Sequence, residues 1–247
     1  MNLKNLEKLK INIFLDGADL NAVKEFEDNN VIKGYTSNPS LMVQNNIKDY
    51  DNFIEKFVKL TNKPISFEVI SDTLDEMFDD AKKIKKYGEN ISVKIPVTTT
   101  SGESTIPLIS KLTEQNIKIN VTALFTLEQT RKIIENVVPK SEIILSIFAG
   151  RIADTGVNPE QMFLDCKNIL SKTKNEKKNN FKLLWASVRE FYNVIQAERI
   201  GADIVTVPQS ILKKSKFYNY DLNNFSIDTI QTFYNDALNH KLKLNKL

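Results

Sequence analysis

Eight short runs of β-branched and apolar residues, each followed by an amphipathic stretch, constrain this chain more than any other feature. They fall at 11–15, 32–36, 64–69, 91–95, 117–122, 142–147, 181–186 and 203–207. Helix-period segments lie near 19–29, 51–62, 73–87, 104–115, 126–137, 159–172, 189–199 and 208–214, with a last one near 226–240. Strands alternating with helices in this way build βα units around a parallel sheet. The runs are almost wholly apolar, as expected of a parallel sheet buried on both faces. Eight units can close into a barrel or spread into a doubly wound sheet. After the first run stands FLDGADL rather than a glycine-rich G-x-G-x-x-G turn, so the mark of the nucleotide-binding open sheet is missing. The expected fold is α/β, a (β/α)8 TIM barrel with an additional C-terminal helix, as one domain over residues 1–247.

Composition removes several kinds of chemistry. The only histidine is His240, close to the C-terminus, and the only cysteine is Cys166. A histidine-based triad, a multi-histidine metal site, a CxxC redox pair and an internal disulfide are all absent. Acid–base work must come from carboxylates, lysine, tyrosine or water. The net charge of +3 is spread among acids, except in the lysine-rich run at 171–182. That run has a single aromatic, Phe181, and reads as a solvated loop rather than a nucleic-acid surface. No apolar stretch is long enough for a membrane span. The start lacks a signal peptide's apolar stretch, so the expected location is cytoplasmic.

Active sites of such barrels lie at the C-terminal ends of the strands, where polar residues gather. Asp16 ends the first run, Asn38 follows the second, Glu68 lies in the third and Lys94 in the fourth. Asn120 and Thr122 close the fifth, Ser146 the sixth, and Ser187 with Arg189 the seventh. Side chains alternate faces with period two. Ser66 shares a face with Glu68, Ser92 with Lys94, Asn120 with Thr122, Ser146 with Phe148 and Trp185 with Ser187. In a closed barrel these groups converge on the axis, where burying them is costly unless they are paired or used. Lys94 is central, standing between Val93 and Ile95. It reads either as an edge-strand lysine reaching solvent or as a reactive amine, because removal from water favours the neutral form that attacks carbonyls. Glu68 is either its structural partner or a working carboxylate. Asp16 is either a helix cap or a general base, and Asp19 is the better-placed cap. Arg151 and Arg189, near Ser187, suit either surface ion pairs or a phosphate.

In this order the segments FLDGAD, GYTSNPSL, SFEV, VKIPVT, INVTALFT, SIFAGRIADTG, WASVRE and GADIVTVP resemble the transaldolase family. The resemblance covers residues 11 to about 208 and leaves out the last forty residues and the lysine-rich loop. It implies that Lys94 forms an imine with the keto carbon of a ketose phosphate. Asp16 would then be the base at the C4 hydroxyl, and Glu68 with Thr122 would hold a proton-shuttling water. Asn38, Asn120 and Ser146 would orient a dihydroxyacetone unit, and Arg151, Ser187 and Arg189 would hold the phosphate. Phe148 and Trp185 would keep water from the enamine. The implied reaction moves that unit from sedoheptulose 7-phosphate or fructose 6-phosphate to glyceraldehyde 3-phosphate or erythrose 4-phosphate, in the pentose phosphate pathway. The resemblance implies no metal or other cofactor, because the protonated imine is itself the electron sink. Gly17 and Ile147 depart from the family's usual threonine and proline, which bears on the fit of the sugar.

Three other readings stand beside this one. A fructose 6-phosphate aldolase would release free dihydroxyacetone, but such relatives carry glutamine and tyrosine where this chain has Glu68 and Phe148. A transaldolase-like enzyme for a different sugar shares every motif. A silent sugar-phosphate-binding barrel would be expected to have lost the lysine or the aspartate. In the segment 226–240, Ile227, Ile230, Phe233, Tyr234, Ala237 and Leu238 recur near helical spacing. Such a helix either covers its own barrel or, as in compact members of the family, packs on a neighbouring subunit, so a homo-oligomer is expected.

Overall fold

All eight apolar runs become parallel strands, and the eighth pairs with the first. The computed structural model describes residues 3–173 and 180–244. The strands are β1 (Asn12–Asp16), β2 (Ile32–Thr36), β3 (Ile65–Glu68), β4 (Ile91–Pro96), β5 (Ile119–Leu124), β6 (Ile143–Ile147), β7 (Phe181–Trp185) and β8 (Ile204–Pro208). They form a closed barrel in chain order, with β1 hydrogen-bonded to both β2 and β8. Closure removes every sheet edge, which excludes the edge-strand reading of Lys94. Among the described residues, no helix is long and apolar enough to cross a membrane.

The helices are α1 (Leu20–Phe26), α2 (Pro39–Gln44), α3 (Tyr50–Val58), α4 (Leu74–Lys85), α5 (Ile106–Glu114) and α6 (Leu127–Asn136). After them come α7 (Ala149–Asp154), α8 (Pro159–Lys172), α9 (Tyr192–Arg199), α10 (Gln209–Leu212) and α11 (Leu222–Asn239). Side chains cap the starts of α1, α2, α3, α4, α6, α8 and α11. Asp19 accepts from the Asn21 N–H at 2.8 Å, which confirms it as the cap of α1 and leaves Asp16 without a capping role. Thr126 and Gln129 form a reciprocal capping box on α6. The short helices α2 and α7 were not expected from the sequence, because six residues are too few to display a 3.6-residue period. Helix α9 begins three residues later than expected. The side chain of Asn193 accepts from the Arg189 and Glu190 N–H groups and holds that segment as a turn.

Strand alternation separates two packed layers. Outward residues such as Ile13, Phe67, Val93 and Leu145 meet the helices in one large core. There Phe57 packs edge-on against Tyr35, Phe53 and Phe67 at 5.5, 5.7 and 5.5 Å. Each fully buried ring of this kind stabilises the fold by about 1.5–3 kcal/mol. Inward, Phe14, Ile144, Leu184, Ala186 and Ile204 form a smaller cluster that plugs the barrel axis. Gly34 makes room for the Phe14 ring, since a Cβ there would lie 2.7 Å from Phe14 Cζ. The plug is the floor of the polar layer above it.

Three expectations need correction. Trp185 does not share a face with Ser187, nor does it line the barrel mouth. It points outward and stacks on Phe163 of α8 at 5.1 Å. Strand β7 ends there, and Ser187, at φ 63°, turns the chain back over the mouth. Strand β5 runs two residues past the expected end, through a bulge with Ala123 at φ 59°. The last helix starts at Leu222 and buries no residue, so it does not cover its own barrel. Of the lysine-rich run, residues 174–179 lie outside the described residues. Cys166 is a buried free thiol that burial pushes up to about 12, which makes it a packing residue.

Candidate active site

Lys94 projects into the barrel because Val93 and Ile95 take the outward positions of β4. Only 6% of it is exposed. The β3–β4 register sets Glu68 beside it. Nζ lies 2.9 Å from Glu68 Oε2 and donates to the Ser37 carbonyl at 2.8 Å. An ammonium has three donors, so two are held by the protein. A buried ion pair contributes little net stability once desolvation is counted. A lysine retained inside a sealed barrel therefore points to use.

Asp16 stands at the end of β1, inside the same mouth. Its Oδ1 accepts from Thr36 Oγ1 at 2.7 Å, and Thr36 Oγ1 lies 2.5 Å from Thr206 Oγ1. Burial holds the Asp16 carboxyl above the usual carboxylate range, although Lys94 and the Thr36 hydroxyl pull it down. Glu68 is not on the cavity wall but lies behind Lys94. Its carbonyl accepts from Tyr50 Oη at 2.8 Å. Burial raises the phenol of Tyr50 well above its ordinary range.

A second line of polar groups crosses the barrel. Ser146 Oγ donates to Asn120 Oδ1 at 2.6 Å, and Asn120 Nδ2 donates to Ser66 Oγ at 3.0 Å. Asn120 is thereby fixed in one orientation by partners on both sides. Ser37 Oγ and Thr122 Oγ1 are buried and have no hydrogen-bond partner among the described residues. An unsatisfied buried hydroxyl costs about 1–3 kcal/mol, so Thr122, on the cavity wall, is available to whatever enters.

The rim carries the positive charge. The Arg151 guanidinium sits 5.5 Å from the centre of the Phe148 ring, and it has no carboxylate partner among the described residues. Arg189 pairs with Asp154 at 2.6 Å and is half exposed. Gly150 allows α7 to approach the turn after β7, since a Cβ there would fall 1.6 Å from the Ser187 carbonyl oxygen. Asn38 caps α2 through Oδ1, accepting from the Leu41 N–H at 3.0 Å. Its amide nitrogen remains for a ligand.

The cavity has a volume of about 240 Å³. A water molecule takes about 30 Å³ of liquid, so the space suits a small polar metabolite rather than a dinucleotide. Ten of the twelve residues given a role in the sequence line it, while Glu68 pairs with Lys94 from the next strand and Trp185 faces outward. The wall also includes Thr36, Ser40, Gln44 and Thr206. Thr206 left a sequence signal, as a lone polar residue in the run IVTV. Ser40 stands in the motif GYTSNPSL without a role read from it, and Gln44 leaves no signal, because α2 is too short to show a period. His240 lies at the end of α11, outside the cavity.

A sequence model of the transaldolase/fructose-6-phosphate aldolase family matches residues 13–247. A protein of Thermoplasma volcanium, named as a probable transaldolase, is 34% identical over 207 residues, covering 81% of this chain and 86% of that protein. One of Nitrosopumilus maritimus with the same name is 33% identical over 202 residues, covering 82% and 86%. One of Streptococcus equi subsp. zooepidemicus is 29% identical over 228 residues, covering 92% and 98%. Among solved structures, a mandelate oxidase superposes with a TM-score of 0.54 at 13% identity, over 81% of this chain and 66% of that one, a likeness of fold alone. The chain belongs to the transaldolase/fructose-6-phosphate aldolase family and is an enzyme of that type.

Proposed function

We propose that this enzyme transfers a dihydroxyacetone unit between aldose phosphates through a Schiff base on Lys94. The observation that carries the reading is a buried lysine, ion-paired to Glu68 at 2.9 Å, in a cavity that also holds Asp16. Glu68 is close enough to take the ammonium proton and free the amine. The amine adds to the ketose C2 carbonyl, and the carbinolamine loses water to give the iminium. Glu68 and Thr122 hold the water that moves protons in this step and in the final hydrolysis. Asp16 takes the C4 hydroxyl proton as the C3–C4 bond breaks, and the bonding pair becomes the enamine. The aldehyde leaves, an acceptor aldehyde takes its place, and the enamine carbon attacks it. Asn38, Asn120 and Ser146 orient the three-carbon unit. Arg151, Ser187 and Arg189 hold the phosphate, with Arg151 the more available because Arg189 is shared with Asp154. Phe148 covers the enamine from water.

Borohydride reduction in the presence of a ketose phosphate, followed by peptide mapping, tests this directly. The expected adduct is on Lys94. An adduct on another lysine, or none, would sink the reading. With an aldose phosphate added as acceptor, a new ketose phosphate is expected without free dihydroxyacetone. Release of dihydroxyacetone would instead mark simple aldol cleavage.

We also infer that α11 docks on another copy of the chain. It exposes Ile227, Ile230, Phe233 and Tyr234 at 52–68% of their surface, far more than a helix facing its own core. Replacing Ile230 and Phe233 by glutamate is expected to give monomers by sedimentation, whereas an unchanged mass would place the interface elsewhere.

A further inference from the structure

The hydroxyls beside Asp16 have a readable direction. Thr36 ends β2 and Thr206 lies in β8, the two strands that flank β1. Both are buried and both line the cavity. Thr36 Oγ1 makes two contacts, 2.7 Å to Asp16 Oδ1 and 2.5 Å to Thr206 Oγ1, but it has one hydrogen. A carboxylate can only accept. With Asp16 charged, the Thr36 hydrogen is committed to Oδ1, so the hydrogen of the second contact must come from Thr206. The chain therefore runs from Thr206 to Thr36 to Asp16.

We propose that Thr36 and Thr206 are positioning residues that hold Asp16 Oδ1 as a permanent acceptor and so reserve Oδ2 as the atom that exchanges protons with the substrate. The proposal rests on the Schiff-base reading of the site. When C3–C4 breaks, the C4 hydroxyl proton moves to Oδ2 and the bonding pair enters the enamine. When the enamine forms the new bond, that proton returns to the aldehyde oxygen of the acceptor. In both states Oδ1 still accepts from Thr36, so neither hydroxyl has to turn during the reaction. Donors that need no reorganisation are the effective kind in a water-poor site.

The same chain tunes basicity. Burial pushes the Asp16 carboxyl up, and the Thr36 bond opposes it by favouring the charged form. The charged groups facing Asp16 are Lys94 on β4 and Glu68 on β3. Arg151 and Arg189 stand on the rim, and Asp19 caps α1. At this level β2 and β8 present only the two threonines. Removing the Thr36 donor therefore leaves burial less opposed. The base then loses its charge at a higher pH.

The test compares Thr36→Val, Thr36→Ser and Thr206→Val with the parent enzyme, using fructose 6-phosphate and an aldose phosphate acceptor. Thr36→Val is expected to lower kcat by about tenfold to hundredfold. KM is expected to stay within about twofold, because the lost bond acts on the proton transfer rather than on binding. The acid limb of the kcat profile is expected to move up by about one pH unit. Thr36→Ser should restore rate and limb together. Thr206→Val should move both in the same direction by less, and it carries the test if Thr36→Val fails to fold. An acid limb that stays in place in Thr36→Val and Thr206→Val would reduce the threonines to packing and overturn the proposal. The Schiff-base reading fails separately, by loss of the Lys94 adduct in the parent enzyme. That adduct should persist in Thr36→Val, since imine formation precedes the step that Asp16 serves.

Discussion

Lys94→Met is expected to give no borohydride adduct and to slow turnover by roughly 10⁴-fold or more, the scale seen when a covalent nucleophile is removed. Any residual trapping on the variant would move the nucleophile elsewhere. The same change is expected to destabilise the fold. Glu68, with its side chain 17% exposed, would keep its carboxylate without the cation 2.9 Å away, and the Ser37 carbonyl would lose its donor. Breaking a buried pair from one side costs about 3–5 kcal/mol, whereas replacing both partners by apolar groups is close to neutral. Adding Glu68→Leu to Lys94→Met should therefore recover most of the lost melting temperature and none of the activity. A double variant as unstable as the single one would show that the pair is not the source of the loss.

Asp16→Asn separates bond cleavage from imine formation. Asparagine keeps an acceptor for the Thr36 hydroxyl but cannot take a proton. The Lys94 adduct should still form, while kcat falls by about 10²–10⁴-fold. Loss of the adduct together with activity would place Asp16 in an earlier step. Stability should move the other way. The folded-state carboxyl is raised above its ordinary value, so the folded form holds a proton that the unfolded chain has already lost. Raising the pH from the ordinary carboxylate range through the raised value therefore costs the parent enzyme stability. Below the ordinary value that cost vanishes. At neutral pH the asparagine variant should melt higher, by roughly 2–4 °C for each kcal/mol relieved in a chain of this size. The difference should shrink as the pH falls. A charge kept in a poor environment for chemistry has this signature.

The sequence alone reveals some of these residues and hides others. Lys94 and Asp16 stood out because each interrupts or ends an apolar run, and period two alone gave their common side of the sheet. Asn120 and Ser146 followed from the same alternation and do meet, at 2.6 Å. Alternation failed at Trp185 and Ser187, where a positive φ breaks the period and reverses which side chain faces the mouth. The capping of α2 by Asn38 was not legible either, since that helix is too short to leave a pattern.

Residue order determined which strands exist, which of their faces is polar, and that a lysine, an aspartate and a glutamate sit at strand ends. Those properties are local, set by alternation and by the distaste of apolar strands for charge. Only the closed tertiary structure decided who touches whom. Barrel closure brings β8 beside β1, so that Thr206, 190 residues from Asp16 in the chain, reaches the hydroxyl that holds it. The parallel register puts Glu68 against Lys94, 2.9 Å from its ammonium. A hydrogen-bond partner is a matter of a few tenths of an ångström, and distances of that order between remote strands are set by packing the whole barrel.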